Sequence, residues 1–304
     1  MAIQSNQMIK HWLAAVRLRT LPLSVSGIVL GTSIAAVETS INWSVFALAV
    51  TTALLFQVLS NFSNDLGDAI KGADQKRQGE VRMVSTGLIS AEKMKKAILA
   101  VAMLSLLTGI SLLYTALKDQ SSLVFFVFLG LAIASIWSAI HYTYGSFPYG
   151  YHRLGEVFVI AFFGIVAVGG SYYLQTGYWN SFVLLPGLAS GMFASAVLNL
   201  NNMRDIDTDL TSGKYTVANF LGFLLAKVYH TILVILPIIL THFFIRGLHY
   251  SEYAYLYLLI VPLVLSHLVR VWNTTEKHKL DSELKSMALS TLLYVLLLSI
   301  GINI

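Results

Sequence analysis

Nine long apolar segments restrict this chain to a small set of folds. They lie at about residues 20–37, 43–66, 95–117, 121–141, 156–174, 181–203, 222–244, 252–271 and 286–303. Each is close to the roughly 20 residues that a helix needs to cross a bilayer, and none alternates like a strand of a transmembrane barrel. Only 12% of the residues are charged, about half the share found in soluble domains. The sequence therefore predicts an all-α polytopic membrane protein, a bundle of about nine transmembrane helices.

The basic residues are distributed unevenly between the two ends of these segments. Of the 20 Lys and Arg residues, all except Lys118 and Arg246 fall in the N-terminal segment or in every second loop. Basic loops stay in the cytoplasm. The pattern predicts a multi-pass protein of the bacterial cytoplasmic membrane, with a cytoplasmic N-terminus and an external C-terminus. It also accounts for the net charge of +5 without a nucleic-acid partner.

Three further features concern the whole chain. Residues 1–19 are typical of an interfacial segment and lack the apolar core and cleavage site of a removable signal peptide. No Ser/Pro-rich linker divides the sequence, so we expect a single integral-membrane domain over residues 1–304. The chain has no cysteine, which excludes disulfides, thiolate metal sites and cysteine nucleophiles.

The second apolar segment ends in a polar stripe, which we call the first motif. Its members are Asn61, Asn64, Asp65 and Asp68. Their steps of 3, 4 and 7 place them on one face of a helix. Carboxylates at the end of an apolar helix are costly unless they line a cavity, pair with a cation or hold a metal ion.

A second motif ends the sixth segment. It contains Asn201, Asn202, Arg204, Asp205 and Asp209. Asn202, Asp205 and Asp209 share one helix face, whereas Asp207 points away from that face and is expected to be solvated. Basic loops follow both motifs, so the sequence predicts that the two acidic faces meet at a cytoplasm-facing active site.

The carboxylates of these motifs predict a magnesium site. The candidate ligands are Asp65, Asp68, Asp74, Asp205 and Asp209. Mg²⁺ prefers oxygen ligands and commonly takes one or two carboxylates together with water and substrate phosphates. Zinc is disfavoured, because no histidine lies beside these carboxylates at ligand spacing and cysteine is absent.

Amides and cations around the motifs indicate a phosphorylated substrate. The candidate substrate-binding residues are Asn61, Asn64, Lys71, Arg82, Asn201, Asn202, Arg204 and Lys214. Amides donate to phosphate oxygens, and Lys and Arg pair with them. Carboxylates mixed with cations favour a metal-bridged diphosphate, and an apolar bundle above it suits a lipid tail. The combination predicts a prenyl diphosphate. The positive-inside rule alone explains other basic residues, such as Lys76 and Arg77.

The loop between the fourth and fifth segments is rich in aromatic residues. Ring faces stabilise a cation without reacting with it, which makes Tyr142 and Tyr149 candidate substrate-binding residues in a reaction through an allylic carbocation. An aromatic belt at the membrane interface explains the same residues equally well. Glu156, just beyond this loop, is expected to cap the fifth helix or to pair locally.

The spacing of the two motifs matches a known family. The first reads Asn61-x-x-Asn64-Asp65-x-x-Asp68-x-x-x-Gly72-x-Asp74, and the second reads Asn201-Asn202-x-Arg204-Asp205-x-x-x-Asp209-x-x-x-Gly213-Lys214-x-Thr216. Both resemble the motifs of the UbiA-type intramembrane aromatic prenyltransferases, particularly the branch that uses 1,4-dihydroxy-2-naphthoate. Two positions depart from the wider family. Gly72 stands where a third Asp is usual, and Asp74 is expected to substitute for that residue. Ser146 stands where the wider family has the lysine of a Tyr-x-x-x-Lys motif that would begin at Tyr142. We interpret both as features of the naphthoate branch.

This resemblance implies a function. It implies Mg²⁺-dependent transfer of a polyprenyl chain to 1,4-dihydroxy-2-naphthoate with loss of the carboxylate, which gives demethylmenaquinol for menaquinone synthesis. The implied catalytic residues and main metal ligands are Asp65, Asp68, Asp205 and Asp209, and Arg82 and Lys214 are implied to clamp phosphate. The partners are then polyprenyl diphosphate, the naphthoate and membrane lipid.

Two alternative functions stay open at the level of the sequence. One is prenyl transfer to another acceptor, such as 4-hydroxybenzoate, homogentisate or a glycerol phosphate. The other is a divalent-cation transporter that uses the same carboxylates. Transporter sites usually lie near the bilayer midplane on broken helices, whereas both motifs here end their helices beside Lys and Arg.

Overall fold

The computed structural model describes residues 2–72 and 82–304, with side chains from residue 7 onwards. Within these ranges, nine helices are long and apolar enough to cross a membrane, as the sequence predicts. The first candidate span is Gln7–Ala36. It consists of most of an N-terminal helix, Ala2–Val16, and of α1, Leu21–Ala36, with a bend near Arg17 between them. The others are α2 (Trp43–Lys71), α3 (Ala91–Leu117), α4 (Ser122–His141), α5 (Gly155–Thr176), α6 (Ser181–Arg204), α7 (Val217–Gly247), α8 (Glu252–Asn273) and α9 (Lys277–Gly301).

Local sequence signals fix several helix ends. The Asn42 side chain accepts from two backbone amides at the start of α2, and Ser90 caps α3 in the same way. Thr216 and Asn219 form a capping box that starts α7. At the far end of α2, Gly72 adopts a left-handed conformation with φ 70°, which glycine tolerates best. The helix therefore continues past the apolar segment, and the first motif lies on its last turns.

The helices form two packed groups around α1 and α5. In one group α2, α3 and α4 pack against each other, and in the other α6 packs on α7 and α9, with α8 on α9. α1 contacts α2, α5 and α9, and α5 contacts α6. The most buried membrane helix is α6, so the second motif emerges from the centre of the bundle and the first from one side of it.

Polar residues also tie α7, α8 and α9 together inside the bundle. His230 and His267 approach to 2.9 Å between their Nε2 atoms, and the other ring nitrogen of His267 lies 2.7 Å from Glu283. Arg270 donates to both carboxylate oxygens of Glu283 at 2.7 and 3.0 Å. Buried charges need such partners, so this network aligns the three C-terminal helices.

Glycines bring α5 and α6 into direct backbone contact. Residues Ile160–Gly169 of α5 form a π-helix, which widens the helix locally. A Cβ built on Gly191 of α6 would lie 2.6 Å from the Ile160 carbonyl oxygen. A Cβ on Gly164 would lie 2.3 Å from the Gly187 carbonyl oxygen. Only glycine permits helices to approach this closely.

We expect Gly191→Ala to destabilise the protein by about 1–3 kcal/mol, the usual cost of overpacking, because the added methyl meets backbone atoms that cannot rotate away. The measurement is the thermal unfolding midpoint in detergent. The matched control is Gly130→Ala in α4, where a Cβ meets no atom within 4 Å and helix propensity favours alanine. An unchanged midpoint for Gly191→Ala would contradict the close contact between α5 and α6.

Candidate active site

The first motif faces inwards at the end of α2. Asp65 is 1% exposed and Asp68 is 4% exposed. Both oxygens of Asp65 accept backbone N–H groups, from Met83 at 3.0 Å and from Val84 at 2.9 Å. Asp65 thereby anchors the segment that returns from the long loop after α2 and places Arg82 beside the motif.

Asp68 joins three parts of the chain. Arg82 donates to one of its oxygens at 3.0 Å, and the Tyr151 hydroxyl donates to the other at 3.0 Å. Lys71 lies over the Tyr151 ring, 4.0 Å from its centroid. A carboxylate, two cations and a phenol therefore converge at the end of α2.

The two amides of the first motif make different contacts. Asn61 donates to the Val16 carbonyl at 2.8 Å and to the Thr20 hydroxyl at 3.1 Å, so it fastens the N-terminal segment onto α2. Asn64 accepts from Thr143 at 3.1 Å and lines the cavity described below. Of the two, Asn64 is therefore better placed for substrate.

Arg204 organises the second motif. It donates to both oxygens of Asp205, at 2.7 and 2.8 Å, and to Asn201 at 2.8 Å. It also donates to Asp281 at the start of α9. Its guanidinium thus pairs with carboxylates and aligns them, and α9, which lies outside both motifs, contributes to the site.

Asp209 and Asp207 differ in burial, as their positions on a helix predict. Asp209 is buried and lies 3.2 Å from the Lys214 ammonium. Asp207, which points off this face, has a side chain that is 75% exposed and pairs with Lys277 at 2.7 Å. Asp205 and Asp209 therefore face inwards, and Asp207 faces solvent.

The aromatic loop between α4 and α5 connects the two motifs. Tyr151 reaches Asp68 through its hydroxyl, and its backbone carbonyl accepts from the Tyr215 amide at 3.1 Å. The Arg153 amide returns a bond of 2.9 Å to the Tyr215 carbonyl. Since Tyr215 directly follows Lys214, this loop holds the two acidic faces at one end of the bundle.

An apolar cavity leads from the first motif into the bundle. Its lining comes mainly from α1 to α5, with polar groups at the motif end: Gln57, Ser60, Asn64, Tyr142 and Tyr149. Tyr149 stacks on Phe158 with 4.0 Å between ring centroids. Burial raises the pKa of Tyr149, which keeps the phenol neutral. The cavity therefore offers an apolar chamber with aromatic faces near its polar end.

Glu156 makes the local contact expected of a cap, with its own backbone N–H, and also a long-range contact that was not expected. The carboxylate is buried and accepts from the Asn202 amide at 3.0 Å, across 46 residues of sequence. The other polar atom of Asn202, Oδ1, has no hydrogen-bond partner among the residues that the structure describes. A long-range pair of this kind carries no local sequence signal.

The arrangement of carboxylates fits a metal that binds together with a phosphate. Among residues 2–72 and 82–304, no three metal-ligating side chains cluster closely enough to hold a metal by themselves. Mg²⁺ does not require such a cluster, since phosphate oxygens and water complete its shell. Asp74, Lys76 and Arg77 lie outside the described residues.

These features define an integral-membrane, all-helical protein in which two buried acid–base motifs are linked through the aromatic loop, with an apolar cavity beside the first motif. The chain belongs to the UbiA prenyltransferase family, whose family model matches residues 24–293.

Two bacterial relatives are similar over nearly their whole length. The 1,4-dihydroxy-2-naphthoate octaprenyltransferase of Haemophilus influenzae is 40% identical over 302 residues, which cover 98% of this chain and 97% of the relative. The Escherichia coli protein of the same name is 38% identical and covers 94% of each chain. The similarity therefore includes α7 to α9 as well as both motifs.

Solved structures share the fold at low sequence identity. A UbiA homologue from Archaeoglobus fulgidus, bound to GPP and Mg²⁺, superposes with a TM-score of 0.66 at 14% identity and covers 97% of this chain and 100% of its own. An apo homologue from Aeropyrum pernix K1 has a TM-score of 0.67 at 14% identity, with 90% and 97% covered. These comparisons confirm the predicted helical bundle.

Proposed function

We propose that this protein transfers a polyprenyl group from a prenyl diphosphate to 1,4-dihydroxy-2-naphthoate, with loss of the carboxylate, to give demethylmenaquinol. The observation that carries the proposal is the full-length similarity to two naphthoate octaprenyltransferases, at 40% and 38% identity. This similarity favours the naphthoate over the other acceptors. The pairing of both acid motifs with Lys and Arg at one end of the bundle disfavours a cation transporter.

The motif residues supply the binding site for the diphosphate. Asp65 and Asp68 from α2 act with Asp205 and Asp209 after α6 as the metal-holding carboxylates, and Asp74 is a further candidate. Mg²⁺, when bound, supplies charge stabilisation for the departing diphosphate. Arg82 and Lys214 already lie beside these carboxylates, and they turn to the phosphate oxygens when the substrate enters. The apolar cavity is proposed to receive the first part of the prenyl chain, and Asn64, Tyr142 and Tyr149, which line it, are the candidates to surround the reacting carbon.

We infer that residues 1–304 form one domain, since the N-terminal helix, the motifs and α9 are joined by direct contacts. The nine membrane helices make this a multi-pass membrane protein. The basic loops support a cytoplasmic N-terminus and a site at the cytoplasmic end of the bundle.

The test is to incubate membranes containing the protein with labelled prenyl diphosphate, Mg²⁺ and one acceptor at a time. We expect a prenylated, decarboxylated product from the naphthoate and at least about tenfold less from 4-hydroxybenzoate or homogentisate. Mass spectrometry of the lipid extract identifies the product. A prenylated 4-hydroxybenzoate as the main product would contradict the proposed acceptor, and metal uptake into vesicles without prenyl diphosphate would support a transporter instead.

A further inference from the structure

Glu156 and Asn202 form a buried pair beside the apolar cavity. Leu198, one turn before Asn202 on α6, lines the cavity, and so does Val159, one turn after Glu156 on α5. Glu156 and Asn202 themselves are not among the described residues that line it. Asp205 lies one turn beyond Asn202, on the side away from Leu198. The pair therefore adjoins the cavity wall on one side and the proposed diphosphate site on the other.

The backbone next to Glu156 packs closely against residues that line the cavity. A Cβ built on the neighbouring Gly155 would lie 3.3 Å from Leu198 and 3.4 Å from the Tyr142 hydroxyl, and both of these residues line the cavity. The start of α5 is thus pressed against the cavity wall. The Glu156 carboxylate is 3% exposed and Asn202 is 2% exposed.

Glu156 also differs chemically from the motif carboxylates. Asp68, Asp205 and Asp209 each pair with Arg or Lys, and Asp65 holds two backbone amides. The Glu156 carboxylate accepts from the neutral amide of Asn202 and from its own backbone N–H. The charged and titratable groups that face it from other elements are Lys214, whose direct ion pair is with Asp209, and Tyr229. A carboxylate whose direct hydrogen-bond partners are neutral can exchange a proton with a substrate.

Asn202 supplies the second observation. Its Nδ2 donates to Glu156, which leaves the buried Oδ1 as an acceptor with no partner in the described part of the chain. Buried acceptors without partners are costly. A ligand hydroxyl that reached this point could donate to Asn202 Oδ1 or to the Glu156 carboxylate.

We propose that Glu156 and Asn202 bind a ring hydroxyl of the acceptor and that Glu156 is the general base for the reaction. This inference rests on the proposed function. The prenyl carbon that reacts must lie between its diphosphate and its tail, and the pair adjoins both the wall of the cavity proposed for the tail and the motif proposed for the diphosphate.

The proposed proton transfer balances over the whole reaction. The ring carbon that bears the carboxylate bonds to C1 of the prenyl chain while the bond from C1 to the diphosphate oxygen breaks. The adjacent hydroxyl gives its proton to Glu156 and becomes a ketone. The bond from the ring to the carboxylate then breaks, CO₂ leaves, and its electron pair restores the aromatic ring. Glu156 returns the proton to the same oxygen, so no further reactant is needed.

The test compares Glu156→Gln with Glu156→Asp. Gln keeps an oxygen for the Asn202 bond but cannot take a proton, so we expect kcat with the naphthoate to fall by at least about 100-fold. Binding of prenyl diphosphate with Mg²⁺, measured separately by calorimetry, should stay within about threefold of wild type. Asp, which keeps the carboxylate, should recover part of kcat.

The pH dependence provides a readout that a structural role would not change. Wild-type kcat should fall at acid pH as Glu156 is protonated. In Glu156→Gln this acid limb should be replaced by a rate that increases about tenfold per pH unit, as the acceptor hydroxyl ionises without help. The control is Glu38→Gln, which removes a carboxylate held by Tyr172 and Tyr178 away from the motifs and should leave kcat and its pH profile unchanged.

Two outcomes would overturn this inference while leaving the proposed function intact. One is a Glu156→Gln variant that keeps more than about a third of wild-type kcat. The other is an equal loss of prenyl diphosphate binding and kcat, which would indicate a structural role. Failure of the proposed function is distinguishable, because the wild-type protein itself would then form no prenylated naphthol.

Discussion

Replacement of Asp205 by Asn should lower kcat/KM by at least about 100-fold, a loss of roughly 2.7 kcal/mol in transition-state stabilisation. The substitution keeps the shape of a buried side chain that is 5% exposed but removes the negative charge. It removes a proposed metal ligand and leaves Arg204 paired with Asp281 and Asn201. The measurement is initial rates with the naphthoate and a prenyl diphosphate.

Asp207→Asn is the matched control for this experiment. It makes the same chemical change two residues further along the chain, at a side chain that is 75% exposed and paired with Lys277. Exposed ion pairs contribute about 0–1 kcal/mol, so activity should stay within about twofold. If Asp205→Asn or Asp205→Ala keeps more than about a tenth of wild-type activity, Asp205 is not a metal ligand.

Removal of divalent metal should abolish product formation, with a loss of at least about 1,000-fold, and added Mg²⁺ should restore it. The structure also predicts that Mg²⁺ and the diphosphate depend on each other for binding. Without substrate, Arg82 pairs with Asp68 and Lys214 pairs with Asp209. A metal that binds alone must compete with these cations, and a diphosphate that binds alone must compete with the carboxylates.

Calorimetry with an unreactive prenyl thiolodiphosphate measures this coupling without catalysis. We expect the Kd of Mg²⁺ to fall at least about tenfold in the presence of the analogue, and the Kd of the analogue to fall by the same factor in the presence of Mg²⁺. Asp207→Asn should retain the coupling. Equal Mg²⁺ affinity with and without the analogue would show that the carboxylates bind metal independently, against the arrangement described here.

The sequence predicts the membrane helices well because their signal is local. Each apolar segment is long enough to span a bilayer, and all nine predicted segments correspond to helices. The ends are less well predicted. The second segment continues to Lys71 and the ninth begins at Lys277, because these helices extend beyond their apolar stretches to polar residues that pack against other parts of the protein.

The motif spacing also carries real information about the site. Steps of three and four place Asp65 with Asp68, and Asp205 with Asp209, on one face of a helix, and all four are buried. The same reasoning places Asp207 on the outside, where it is found. Their role in metal binding stays a prediction that the Asp205 variants test.

The partners of these residues could not be read from the sequence. Asn61 fastens the N-terminal segment, Arg204 reaches Asp281 on α9, and Glu156 pairs with Asn202. Each of these contacts joins residues that are more than 40 positions apart, so no local periodicity reveals them.

What the sequence by itself determined is the set of helices and the identity of the acidic faces, since both follow from which residues recur along one helix. The tertiary structure decided how the two motifs are linked, through the backbone hydrogen bonds between the loop of Tyr151 and the loop of Tyr215. It also decided that a carboxylate outside the motifs, Glu156, is buried against Asn202 of the second motif. The physical reason is that helix periodicity fixes directions within a helix, whereas contacts between helices depend on how the whole bundle packs.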